Sequence, residues 1–291
     1  MARRKFRPNV ITWHEAQSEI VIPSNDPVFN DNLILAEGDS WFTLAGIPTS
    51  NLLFSMRFTA STLIVNCAKP GDTIINMSKM LKNSSFKSAL SEEGLPWHLL
   101  LISGGGNDLI DEAENIILSK DERADSDINN MESYCDLEIF EKVIENIKDS
   151  FRKIVNLRDS PNSPAIGKPI LVHTYDYFVP RNAPARFFPF TISGPWLYPV
   201  FSKAEIPEGI WIELAQFLVD KLAEGILELA EGSNKLHNFH VVDTRGTLVK
   251  AKLGSVGDSH DWLNEIHPDS AGYSKISKKI DAKILELKIL K

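Results

Sequence analysis

Apolar residues in this chain gather into five short runs, at 33–41, 62–68, 98–103, 169–175 and 239–243, each rich in Leu, Ile or Val. None alternates cleanly between apolar and polar, which is the pattern of strands buried on both faces. Between the runs the spacing changes to three and four. Residues 138–157 set Ile139, Phe140, Val143, Ile144, Ile147, Phe151 and Ile154 on one helical face. Residues 72–82 group Ile75, Met77, Met80 and Leu81, and 207–231 and 270–289 read the same way. Strand alternating with helix predicts an α/β domain with a central five-stranded parallel sheet, doubly wound, over residues 31–291. Residues 1–30 read as an N-terminal arm.

Two stretches break this rhythm. Residues 111–136 are acidic and polar (Asp111, Glu112, Glu114, Asp121, Glu122, Asp125, Asp127, Glu132, Asp136) and read as an exposed insertion. Residues 178–206 mix Pro180, Pro184, Pro189, Pro195 and Pro199 with Phe178, Phe187, Phe188, Phe190, Trp196, Tyr198 and Phe201. A long segment without helix or strand period is usually functional or disordered, and this aromatic content argues against disorder. It follows the fourth strand and could cover the carboxyl edge of the sheet as a lid. Its aromatics could equally pack an irregular excursion onto the core.

Composition narrows the function classes. With 43% hydrophobic and 24% charged residues over 291 positions, the chain is an ordinary globular one. A net charge of -8 argues against a general nucleic-acid partner. The basic start (Arg3, Arg4, Lys5, Arg7) is followed by no apolar signal core, and no run approaches the roughly 18 apolar residues of a membrane span. Cys67 and Cys135 imply no disulfide framework, so a cytoplasmic location is the expectation.

The chemistry gathers at strand ends, where parallel α/β sheets bind their ligands. Gly38-Asp39-Ser40 closes the first run; it reads as a presented hydroxyl or as a helix cap. Pro70-Gly71-Asp72 follows the second run and reads as a turn, or as a backbone N–H aimed at the same rim. The third runs into Gly104-Gly105-Gly106-Asn107-Asp108. Its glycines permit close approach, and Asn107 is a neutral donor suited to an oxyanion. The run lacks the Lys-Ser/Thr ending of a phosphate loop and the spacing of a dinucleotide fingerprint. His267, just before Pro268-Asp269-Ser270, reads as a base on the rim or as a satisfied structural histidine. His173-Thr174-Tyr175-Asp176-Tyr177 ends the fourth run, as substrate contact or as packing. His237, His240 and His260 show no metal-ligand spacing.

In order and position, Gly38-Asp39-Ser40, Gly71, Gly105-Gly106-Asn107-Asp108 and His267 resemble the Ser-Gly-Asn-His blocks of the SGNH (GDSL-type) hydrolases, over about residues 33–285. The resemblance implies a three-layer α/β/α flavodoxin-like fold and a serine esterase acting on a small-molecule ester without metal or cofactor. It makes Ser40 the nucleophile and His267 the base, with the Ser40 and Gly71 N–H groups and the Asn107 side chain as oxyanion hole. Trp41, Tyr175 and Trp196 are the expected substrate contacts. Trp41 replaces the family's leucine after the serine. The family's orienting acid would stand where this chain has Asn264, which offers no carboxylate. Asp261 is the preferred third member, with Asn264, Glu265 or a backbone carbonyl as alternatives. An acyltransferase with the same site, or a degenerate fold used as a binding module, are the competing functions.

Overall fold

Asn32–Gly38, the heart of the first apolar run, is buried at every position and lies between two other strands, so no face of it needs polar residues. The computed structural model describes residues 5–18, 22–43, 51–79, 83–123, 129–187 and 190–291. Its main sheet has six parallel strands: β1 (Asn9–Thr12), β2 (Asn32–Gly38), β3 (Thr62–Asn66), β4 (Leu99–Ser103), β5 (Ile170–His173) and, after a separate hairpin of β6 (Ala185–Phe187) and β7 (Phe190–Ser193), β8 (Phe239–Val242). Their order across the sheet is β1-β3-β2-β4-β5-β8.

Counted from β2, the five expected strands follow the order 2-1-3-4-5 of flavodoxin-like sheets. The fold is flavodoxin-like. The sixth strand is the departure: Asn9–Thr12 comes from the stretch read as an arm and pairs in parallel with β3 on the sheet's edge. Four residues beside a basic cluster carry too little pattern to announce a strand.

Helices form the outer layers. Leu137–Arg158 packs with Trp211–Glu228 and with Ile74–Met77, while Ser270–Leu287 packs with Leu52–Ser55. The long helices keep their expected faces, and caps fix where two of them start: Asp136 accepts from the Ile139 N–H at 3.0 Å and Asp269 from the Gly272 N–H at 2.7 Å. The expected helix over 72–82 is only one turn, Ile74–Met77; Met80 and Leu81 lie outside the described residues. Among the described residues no helix is long and apolar enough to cross a membrane.

The two irregular stretches are built into the body. Ile116, Ile117, Tyr134 and Cys135 are buried, and a bridge between Ile117 and Cys135 closes the acidic stretch; Asp125 and Asp127 lie outside the described residues. The aromatic stretch, expected to be irregular, holds the β6–β7 hairpin and a helix, Leu197–Lys203, with Phe178, Leu197 and Phe201 buried. Phe188 and Pro189 lie outside the described residues, as do the side chains of Phe187 and Phe190.

Strand order reverses at β2, so a crevice opens between the carboxyl ends of β2 and β4. Ser40 follows one strand and Asn107 the other.

Candidate active site

The turn that carries Ser40 is drawn tight by its neighbours. A Cβ on Gly38 would lie 2.8 Å from the Ser103 Cβ and 2.9 Å from its carbonyl oxygen, so only glycine lets β2 end against β4. Asp39 is buried, and its Oδ1 accepts the Trp41 N–H at 3.0 Å and the Ser103 hydroxyl at 2.9 Å. Its Oδ2 accepts the Tyr175 hydroxyl. Burial pushes the Asp39 carboxyl up to about 6 despite these donors. Ser40, half-buried, is thereby presented at the rim.

His267 meets it from the loop before the last helix. The Ser40 hydroxyl lies 2.7 Å from Nε2, and the opposite ring nitrogen, Nδ1, lies 2.9 Å from Oδ1 of Asn264. That oxygen also accepts the backbone N–H groups of Ile266 at 3.1 Å and His267 at 2.9 Å. Two N–H donors fix the amide with its oxygen toward the ring, so Nδ1 carries the proton and Nε2 offers a lone pair to Ser40. Loss of hydration pushes the imidazole down to about 4. Neutral imidazole is the resting state.

The preferred orienting residue, Asp261, stands elsewhere. Its carboxylate accepts the Val249 N–H at 2.7 Å and pairs with Lys275 at 2.5 Å, and it makes no bond to His267. The reason is local: Asp261 turns toward the helix that follows, with its carbonyl accepting the Asp269 N–H at 2.9 Å. Glu265 also points away. Fully buried, its carboxylate receives the N–H groups of Arg181 at 3.2 Å, Leu197 at 3.2 Å, Tyr198 at 2.8 Å and, closest, Trp196. Burial nevertheless holds it up to about 7.

Arg181 completes this clasp, and nothing in the sequence set it apart from Arg186 in the same Pro- and Phe-rich stretch. It is buried, and its guanidinium donates to the Asn264 carbonyl at 2.5 Å and to the Gly257 carbonyl. The Glu265 N–H returns a bond to Ala183 O at 2.9 Å. The aromatic stretch is thus tied directly to the loop that carries His267.

Of the expected oxyanion donors, Asn107 shares a pocket with Ser40, and its Nδ2 donates to the Asp72 carbonyl at 2.9 Å. An amide nitrogen has a second hydrogen to offer. Asp108 accepts the Ile74 and Ile75 N–H groups at 2.8 and 3.2 Å. Gly71, at φ 71°, lies in the left-handed region that favours glycine. The Lys69 N–H donates to Gly38 O at 2.9 Å, which brings the Gly71 loop beside the serine turn.

The expected substrate contacts differ from one another. Trp41 is buried: it stacks on His173 at 5.4 Å, meets Tyr175 and Tyr273 edge-on at 5.0 and 5.8 Å, and donates to Ile266 O at 3.3 Å. His173 itself is core, pushed down to about 4 by burial. Tyr175 joins Asp39, and Trp196 stands edge-on to His267 with centroids 5.3 Å apart. The pocket beside Ser40 and Asn107 is walled by Leu109, Ile110, Phe178, Val219, Leu222 and Ile266. Among the described residues no three His, Cys, Asp or Glu side chains group as metal ligands do.

Neither a family model nor a curated protein matches the chain. Solved structures do. Its solved neighbours include esterases and lipases. A carbohydrate acetylesterase from Sinorhizobium meliloti aligns at a TM-score of 0.48 and 13% identity, over 88% of this chain and 99% of the other. An aryl esterase from M. smegmatis aligns at 0.47 and 14%, over 88% and 99%. An extracellular lipase from Streptomyces rimosus aligns at 0.46 and 14%, over 86% and 99%. Identity this low says nothing about which side chains react.

Proposed function

We propose that this protein is a serine-dependent ester hydrolase acting through an acyl-enzyme, with Ser40 as nucleophile and His267 as base. One observation carries the reading: the continuous bond path from Asn264 Oδ1 through both ring nitrogens of His267 to the Ser40 hydroxyl, at 2.9 and 2.7 Å. Such a path leaves the ring in the tautomer a general base requires.

In this mechanism Ser40 Oγ attacks the ester carbonyl as its proton passes to His267 Nε2. The Ser40 and Gly71 N–H groups and the Asn107 amide receive the oxyanion, each worth roughly 3 kcal/mol in the transition state. The alcohol departs with the proton from Nε2, and water repeats the sequence to release the acid. The apolar walls of Leu109, Phe178, Val219 and Leu222 beside Ser40 suit an aliphatic or aromatic acyl group rather than a sugar-like one. Asn264, not Asp261, orients the histidine in this reading.

The test is labelling by a fluorophosphonate probe together with turnover of short p-nitrophenyl esters, in the native protein and in Ser40→Ala. Labelling and turnover that both vanish in the variant support the mechanism. Wild-type turnover by Ser40→Ala would overturn it.

A further inference from the structure

The carboxylates beside the site are engaged elsewhere: Asp261 with Lys275 and the Val249 N–H, Glu265 with four backbone N–H groups, Asp269 with the Gly272 N–H and, next to Ser40, Asp39 with Tyr175, Ser103 and the Trp41 N–H. Among the described residues the ring nitrogens meet only the Asn264 oxygen and the Ser40 hydroxyl. Replacing a triad carboxylate by a carboxamide ordinarily costs twice, through the wrong tautomer and through the missing charge. Here the Ile266 and His267 N–H groups pin the amide oxygen toward Nδ1, which removes the first cost. The second stays. An imidazolium formed at His267 has no carboxylate hydrogen-bonded to it: Nδ1 meets the neutral Asn264 amide.

We infer that the site is built for activated esters, those of phenols or thiols whose leaving group is a weak base, and that the acyl group then stays on Ser40 long enough to accumulate. The inference rests on the acyl-enzyme reading above. In acylation the Oγ–C bond forms, the Oγ proton moves to Nε2, and the bond from the acyl carbon to the leaving oxygen or sulfur breaks. An activated carbonyl is attacked through an early transition state, with little charge on the ring. Its leaving group departs as phenolate or thiolate and recovers the proton from Nε2 afterwards. An alkyl ester must receive that proton as the bond breaks, so its transition state carries a nearly full imidazolium.

Deacylation is always of the second kind. The acyl-enzyme is an alkyl ester of Ser40 whatever the substrate was. Water attacks the acyl carbon, its proton passes to Nε2, and Ser40 Oγ leaves by taking that proton back. Atoms balance, and no other reactant is required. The step bears the whole cost of an unpaired imidazolium, so it falls behind acylation by an activated ester. Initial release of product followed by slow turnover is the kinetic sign of such an intermediate.

The experiment follows 4-nitrophenyl, phenyl and ethyl butanoate in the native protein and in Asn264→Asp, by rapid mixing and by intact-mass detection of the butanoyl adduct. We expect 4-nitrophenol release of about one equivalent per Ser40 before the steady state, and an adduct that Ser40→Ala lacks. Asp keeps an acceptor for both backbone N–H groups. Its variant should turn over at least about tenfold faster in the steady state, lose the burst, and narrow the ratio of phenyl to ethyl kcat/KM by a similar factor. A protein whose Ser40 labels with fluorophosphonate but shows neither burst nor adduct, or whose phenyl-to-ethyl ratio is unchanged in Asn264→Asp, overturns this inference alone. Absence of Ser40 labelling, with full turnover in Ser40→Ala, overturns the acyl-enzyme reading instead. The burst needs no variant, so a misfolded Asn264→Asp leaves the test standing.

Discussion

One atom, Oδ1 of Asn264, receives both the backbone N–H and the ring Nδ1 of His267, each at 2.9 Å. The side chain therefore fixes where the histidine starts and which way its ring faces. It contributes no charge while doing so.

Burial, with no carboxylate on the ring to oppose it, sets the pH response. A base must be unprotonated, and His267 is pushed down to about 4, so its lone pair persists as the medium is acidified. On this group's account kcat/KM for a phenyl ester should hold from neutral pH down to about pH 5. In Asn264→Asp the new carboxylate favours the imidazolium, and the acid limb should move up by more than about one pH unit. A pH profile of kcat/KM for the two proteins measures this directly. Coincident acid limbs would contradict it.

Behind the nucleophile, the Tyr175 hydroxyl bonds the Asp39 carboxylate, and the Tyr175 ring lies against Gly106. A Cβ at Gly106 would stand 2.8 Å from Tyr175 Cζ, so Gly106→Ala must displace the ring from Asp39. Tyr175→Phe and Gly106→Ala should each cost about 1–3 kcal/mol in stability by stranding a buried acceptor. Combined, they should cost less than their sum, because both break one contact. Thermal or urea unfolding of the two single variants and the double variant reads the coupling.

Glu265 and Arg181 join the aromatic stretch to the histidine loop. Glu265→Ala leaves four backbone N–H groups without their acceptor, a loss of about 3–5 kcal/mol. The Trp196 backbone N–H loses its acceptor, so the segment that carries the ring should loosen and its fluorescence shift toward that of hydrated indole before global unfolding. Tryptophan emission compared with far-UV dichroism along a denaturant series separates the two events. Coincident transitions in the variant would show that the clasp is not local.

Away from the site, burial holds the Asp281 carboxyl up to about 7 against the Arg57 N–H, which donates to its oxygens at 3.2 and 3.4 Å, and the charges of Lys5 and Arg57. The folded protein thus keeps a proton that the unfolded chain releases near pH 4. Asp281 contributes full stability below that pH, and the contribution is lost as pH rises toward 7. Asp281→Asn removes the titration and keeps an acceptor. At pH 8 it should be more stable than the native protein by on the order of 3 kcal/mol, with little difference at pH 4. Unfolding free energies at the two pH values decide the matter.

Much of this molecule is readable in its sequence because burial on both faces leaves an unmistakable trace. The runs at 33–41, 62–68, 98–103, 169–175 and 239–243 are strands β2, β3, β4, β5 and β8 for that reason. Asn9–Thr12 is an edge strand of four residues, where half the constraint is missing and the trace fades. Ser40, Asn107 and His267 could be assigned to one rim because strand ends fix a backbone position. Which side chain faces the ring could not, because it depends on how the loop 259–268 folds on itself. Preference for a charge pointed to Asp261, whereas the loop's own hydrogen bonds bring Asn264 to Nδ1. Arg181 and Glu265 were harder still: their partners are backbone N–H and carbonyl groups, which no pattern of side chains encodes.

Asn107 and Asp108, consecutive at the start of one helix, both grip the segment just past Gly71: one holds the Asp72 carbonyl, the other the Ile74 and Ile75 N–H groups. Two loops from different strands are locked into a single piece before any ligand arrives. The oxyanion donors proposed on them are held at a mutual spacing that the fold itself sets. On the proposed mechanism, the cost of ordering those dipoles is met when the chain folds rather than when the ester reacts.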